Sequence, residues 1–162
     1  MRDRNAVVIV AVVVIVVAGA TIVGALLGAS AGGSQAAQEG AASSTVAAFG
    51  QTLQQVSILA PDASSAIASA YVPYVDPALL KTWEANPQSA PGRVVSSPWP
   101  DHIAIDSVTP QGSGYVVNGE LVFMTSDNAT QGGNSGTTPV VIQLAQENGS
   151  WVIVAFQGQA TQ

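Results

Sequence analysis

From Ala6 to Ala29 the chain runs about 24 residues without a charge, an amide or a proline, and no other feature restricts it as much. In a bilayer no water satisfies backbone N–H and C=O groups, so such a run crosses only as an internally bonded helix. Rising about 1.5 Å per residue, it would reach roughly 36 Å, enough for a hydrocarbon core near 30 Å with some tilt. Valine and isoleucine crowd it. β-Branched side chains make poor helices in water, but in lipid the backbone has no alternative partner. Arg2 and Arg4 precede the run, and up to Asp62 the only charge that follows is Glu39. The positive-inside tendency then predicts residues 1–5 in the cytoplasm, a transmembrane helix over 6–29 and the remainder outside, in a single-pass protein of the cell membrane. A cleaved signal peptide is the competing reading, because Ala29-Ser30-Ala31 matches a small-residue cleavage site. The run exceeds the 7 to 15 apolar residues usual for a signal core, and both readings export the domain.

Within the run, small residues recur every fourth position at Ala20, Gly24 and Gly28, continuing at Gly32. They share one helical face and would let a second membrane helix approach closely, which predicts a homodimer through the membrane. Net charge is −6, and the anchor end contributes +1, so the exported part carries nine acids against Lys81 and Arg93. Two bases cannot neutralise a phosphate backbone, which excludes nucleic acid as a partner. The absence of cysteine removes disulfides, thiolate metal sites and a thiol nucleophile.

Residues 30–43 are glycine, serine, alanine and glutamine with one acid, a composition that predicts a flexible linker. The domain is then expected over 44–158, with 159–162 as a tail. Val46, Phe49, Leu53 and Val56 fall at helical spacing, predicting a helix from about Ser44 to Leu59. Pro61-Asp62 and Asp76-Pro77 are helix-start signals, with Ile67, Ala70, Tyr71 and Tyr74 as the buried side of the first helix. Leu79, Leu80 and Trp83 serve the second, and Asn86-Pro87 stops it. After Pro91 the period changes from helical to alternating. One long bent strand containing Asn118-Gly119 is favoured over a hairpin turn there, since the first arm would be too short. Asp127 to Thr137 reads as a flexible loop, and Glu147-Asn148-Gly149-Ser150 as the tight turn of a closing hairpin. The fold class is α+β: three helices packed on a curved antiparallel sheet.

This order of elements resembles the cone-shaped nuclear-transport-factor-two-like domain, one of the cystatin-like folds, over about Ser44 to Gln157. The run from Ser97 through Asp106, followed by Gly114 to Glu120, is similar to one found in small single-pass bacterial membrane proteins of unassigned function. In layout the chain also resembles the scaffold subunits of type IV secretion and conjugation systems, in which a short cytoplasmic end and one span precede such a domain. The span, the tether and the absence of a catalytic cluster predict a non-enzymatic, membrane-tethered extracytoplasmic domain of this conical fold with protein partners at the envelope. Its alternatives are a small apolar ligand held between helices and sheet, or a hydrolase or isomerase using that cavity.

His102 is the only histidine. Strand neighbours point to opposite faces, which separates it from Asp101, and one histidine with scattered acids lacks the spacing of a metal site. Neither a metal nor a cofactor is therefore expected. Tyr71, Tyr74, Asp76 and Tyr115 could line a conical cavity, but the tyrosines are more simply packing residues with their hydroxyls at a rim and Asp76 a helix cap. Trp99, between two prolines, either plugs the core at the sheet edge or stands out as a recognition anchor. Tyr71, Tyr74, Trp99, His102 and Tyr115 are the expected ligand or partner contacts. The sequons Asn128-Ala129-Thr130 and Asn148-Gly149-Ser150 are glycan acceptors only in a host that glycosylates exported proteins.

Overall fold

A computed structural model describes residues 35–158. The expected membrane helix, with Ala20, Gly24 and Gly28, lies outside the described residues, as does the tail over 159–162. Among the described residues no helix is long and apolar enough to cross a membrane.

The domain is α+β, with helices first and an antiparallel four-stranded sheet after them. Helix α1 spans Gln35–Thr52 and closes in a 3-10 turn at Leu53–Gln55. Helices α2 (Ala63–Tyr71) and α3 (Pro77–Ala85) follow. Strands β1 (Trp99–Gln111), β2 (Gly114–Met124), β3 (Gly136–Glu147) and β4 (Ser150–Gln157) form a meander in chain order, with a short helix α4 (Ser126–Gln131) between β2 and β3.

The start signal of α3 acts as its chemistry requires, whereas at α2 Pro61 lies ahead of the helix and the N-cap residue Asp62 makes no side-chain cap hydrogen bond. The Asp76 carboxylate accepts from the amides of Ala78 and Leu79 at 2.8 and 3.0 Å, with Pro77 at the first helical position. Two orphan donors are thereby satisfied, and the proline surrenders no needed hydrogen bond. Leu79's amide is the main influence holding the Asp76 carboxyl below the usual range, and hydrogen bonding to Asp76 raises the Glu147 carboxyl.

Helix α1 begins nine residues ahead of the expected start, so Gln35 to Ser43 is helical where a flexible segment was expected. Composition misleads here because the segment buries little surface of its own, and its order comes from the sheet. Ala42 is fully buried, the Gln38 side chain accepts from the Trp151 indole at 3.1 Å, and Tyr115 donates its hydroxyl to the Gln35 carbonyl at 3.4 Å. Alanine and glutamine are good helix formers once that docking exists. Gly40 lies in this stretch with open space where a Cβ would stand. Gly40→Ala is therefore expected to raise stability by roughly 0.5–1 kcal/mol in urea unfolding; no change would mean that the segment is not helical in solution.

The long bent strand containing Asn118-Gly119 is observed as β2. The bulge lies on its partner, between Ile105 and Ser107 of β1, opposite Gly119 and Asn118. A Cβ at Gly119 would run into the Ala104 carbonyl, so glycine is required by close backbone approach. The closing hairpin turns on Asn148 and Gly149, both at positive φ, as a two-residue turn of this hand demands. The expected flexible loop over 127–137 instead contains α4. Thr125 caps it by accepting from the Asn128 amide, Asp127 sits in its first turn, and Gly132 ends it at φ 86°.

Backbone bonds from the helical segments cover the outer edge of β4: the Asp76 amide donates to the Ile153 carbonyl, and the Ile153 amide to the Tyr74 carbonyl. The other edge strand, β1, carries two bulges and Pro110, which blunt it against further strand pairing.

Candidate functional site

Where the conical reading puts a ligand cavity, between helices and sheet, the domain places rings. Phe49 of α1 is the hub. Its centroid lies 5.0 Å from Tyr71, 6.3 Å from Tyr74, 6.3 Å from Trp83 and 6.1 Å from Phe156. Tyr71 and Phe49 are fully buried, and among the described residues no polar or charged residue is buried. Edge-to-face contacts at these separations add to what area burial alone supplies. Tyr71 satisfies its hydroxyl by donating to the Pro91 carbonyl at 2.6 Å, so it is a core residue with no group free for a ligand. Tyr74 packs partly exposed against the same cluster.

Burial pushes the Tyr71 phenol well above its usual value near 10. The folded state thus keeps a proton that the unfolded chain loses, so this contribution is intact below about pH 10 and declines as pH rises further. Tyr71→Phe leaves the Pro91 carbonyl without this donor and is expected to cost about 1–2 kcal/mol at neutral pH. Thermal melts between pH 9 and 11 should also show a shallower alkaline decline in the variant.

Tyr115 and Trp151 form a second aromatic pair at the far end of the core, 5.1 Å apart and edge-to-face. Their polar atoms hold the first turns of α1. Shallow depressions of about 340 and 420 Å³ flank Trp151, one towards Gly112 and Ser113, the other towards Ala41 and Tyr74. Neither is lined by a charged side chain, so Tyr115 is placed as a docking residue for α1.

Asp101 and His102 meet, which corrects the expectation that strand geometry separates them. The register slips between Pro100 and His102, making Asp101 the extra residue of a bulge, and His102 Nδ1 donates to Asp101 Oδ2 at 2.8 Å. A carboxylate on Nδ1 fixes the imidazole and leaves Nε2 outward. Both side chains are substantially exposed, at 46% and 35%, and neither lines the depressions beside Trp151. Among the described residues no group of three or more His, Asp or Glu is placed to hold a metal.

The remaining surface of note is the sheet face turned away from the core. On β2, Tyr115, Val117, Leu121 and Phe123 belong to the core, whereas Val116, Val122 and Met124 do not. Register carries the distinction across the sheet. Trp99 lies opposite Met124, Val141 opposite Asn118, and Val152 opposite Ala145; none of them belongs to the core or packs against it. Trp99 therefore does not plug the core: half-buried, it lies on the outer face beside Met124, at the same corner as Val122, which is only 6% exposed. His102 and Glu120 stand on this face, opposite Val122 and Ala104, with the Asp101 carboxylate bonded to His102, and Ser107, Thr109, Asn118, Thr137 and Gln143 occupy other outward pairing positions.

The chain matches no protein-family model, no curated protein and no solved structure.

Sequence reasoning missed this outer face because the alternation of core positions dominates the pattern. The signal was present: a strand half-exposed to water should alternate apolar with polar, yet Tyr115 to Val117 and Leu121 to Met124 are unbroken apolar runs.

Proposed function

We propose that the chain is a membrane-tethered extracytoplasmic domain that assembles with other proteins at the cell envelope and has no enzymatic role. Residues 6–29 form its single span, with residues 1–5 in the cytoplasm, and the exported part is a cystatin-like cone. One observation carries the reading: aromatic rings fill the space between helices and sheet, while the opposite sheet face presents Trp99, Met124, Val116 and Val141 outside the core. A filled interior leaves no room for a buried substrate, and a mixed face in which Trp99 and Met124 stand among polar side chains has the composition of a protein contact surface. The layout similarity to conjugation and secretion scaffold subunits supports the same role. The lipid bilayer is its other partner, through the span.

Two measurements test the reading together. The full chain should remain in the membrane pellet after alkaline carbonate washing, and external protease should degrade the domain in intact spheroplasts. After mild detergent extraction it should migrate on a native gel well above monomer size. Recovery from the cytosol would overturn the topology, and monomer alone in every mild detergent, also after crosslinking in cells, would overturn assembly.

A further inference from the structure

We propose that Asn148 is a site of self-modification: the backbone nitrogen of Gly149 attacks the Asn148 side-chain amide, and the neutral turn joining β3 to β4 becomes anionic while the domain stays folded. The chemistry belongs to the dipeptide. When the Gly149 N–H gives up its proton, the nitrogen bonds to Asn148 Cγ, the Cγ–Nδ2 bond breaks, and ammonia leaves with a proton, closing a five-membered succinimide. Water then opens the ring at one of its two carbonyls and leaves aspartate or isoaspartate. In sum, one amide and one water give one carboxylate and one ammonium ion. Glycine favours the attack, because it carries no Cβ to crowd the nitrogen.

The chain carries this dipeptide twice, at Asn118-Gly119 and at Asn148-Gly149, and the fold sets the two in opposite conditions. Asn118 lies within β2, paired with Ser107 on one side and Val141 on the other, and its Nδ2 donates to Ser107 Oγ at 3.2 Å. Gly119 is pressed against the Ala104 carbonyl. Its nitrogen can reach Asn118 Cγ only if the sheet is taken apart. Asn148 is exposed at a hairpin tip and, at φ 49°, is the one non-glycine residue at positive φ among the described residues. The hydrogen bond at this tip joins the Gln146 side-chain amide to the Gly149 carbonyl at 3.5 Å and leaves the Asn148 side chain out. Open space surrounds Gly149. Both residues lie beyond the closing Glu147–Ser150 pair of the ladder, so the attack needs only that pair to fray. Openings of this size are nearly free, whereas a central strand opens at close to the cost of global unfolding.

The consequence is local. The new carboxylate follows Glu147 in the chain, and Glu147 already shares a hydrogen bond with the Asp76 carboxyl at the head of α3, so a third acid joins two. The isoaspartyl product also lengthens the main chain by one carbon in a turn that two residues close, which releases the Glu147–Ser150 pair. Ageing thus adds charge and slack at one defined corner of the domain.

Timed peptide mapping of the full chain, extracted in mild detergent and incubated at mildly alkaline pH, tests this. Chymotrypsin, cutting after aromatic and leucine residues, releases Ala145–Trp151 and Val116–Leu121, each holding one of the two dipeptides and no other asparagine. Digestion in heavy-oxygen water marks any conversion that occurs during the digest itself. Ala145–Trp151 should gain the mass difference between amide and acid at least ~100-fold faster than Val116–Leu121, and isoaspartyl methyltransferase should label the same fragment. Asn148→Gly keeps a residue that accepts positive φ and should abolish both signals. In urea the two fragments of the unmodified chain should convert at similar rates, because only the fold separates them. Near-ultraviolet circular dichroism follows the folded state through the incubation.

Equal rates for the two fragments in the folded chain would mean that the turn is not singled out, and would overturn the proposal. Conversion of Ala145–Trp151 in urea with none in the folded chain would mean that the hairpin shields Asn148, and would overturn it as well. Faster conversion of Val116–Leu121 would place the reactive dipeptide in β2 instead.

Discussion

Phe49→Ala is expected to lower the unfolding free energy by about 3–5 kcal/mol, the range for truncating a buried aromatic whose cavity cannot collapse. Phe49 is fully buried and its ring meets Tyr71, Tyr74, Trp83 and Phe156, which come from α2, the segment after it, α3 and β4. Removing it strips contacts from all of these together. Rigid neighbours cannot close the void, because Tyr71 is tied to the Pro91 carbonyl and Trp83 to Tyr71 and Phe156 by ring contacts. Domains of this size are stable by roughly 5–15 kcal/mol, so the variant should lose a large part of its margin. Urea unfolding followed by tryptophan emission gives the number, and a loss below about 1 kcal/mol would mean that the rings do not pack as a single cluster.

Gly50→Leu is the second large effect and acts through geometry. Where α1 crosses β1, a Cβ on Gly50 would stand 2.8 Å from the Ile103 amide nitrogen and 3.2 Å from its Cγ1. Leucine in place of glycine gains roughly 0.8–1 kcal/mol of helix propensity. Against this, overpacking costs about 1–3 kcal/mol and more when the obstacle is backbone, and here it is the backbone of a central core position. The collision should prevail, with a net loss of about 2 kcal/mol. Gly40→Ala on the same helix should move the other way. If both variants proved stabilising in the same urea titration, α1 would not rest on β1 at Gly50.

The contrast between these glycines shows which parts of the fold were legible in the residues. Signals that act locally were readable: Asp76-Pro77 starts a helix because one carboxylate and one ring meet local backbone needs, and Asn148-Gly149 turns a hairpin because both residues tolerate positive φ. Features that depend on distant chain were not. The first turns of α1 are ordered by Tyr115 and Trp151, whose bonding partners lie 80 and 113 residues away along the chain, and composition could not show that Ala42 would be sealed. The Asp101–His102 contact arises from a one-residue slip between strands, which alternation cannot reveal. α4 was legible in principle, since Thr125-Ser126-Asp127 is a capping sequence, but the glycines after it pointed to a loop. Among the candidate contacts, Tyr71 and Tyr115 are internal fastenings. For Trp99 the residues alone leave plug and anchor open, and its pairing with Met124 puts it on the outer face, away from the core.

The grip on the start of α1 has a mechanical consequence. A load entering at Gln35 meets the Gln38–Trp151 and Tyr115–Gln35 hydrogen bonds first, before it reaches the Phe49 rings and the close crossing at Gly50. Traction on the helix is thus shared with β2 and β4 from its first turns, and strain should arrive in the sheet before the helical layer gives way. Pulling on the leading end of the domain is thus opposed by sheet and helices together.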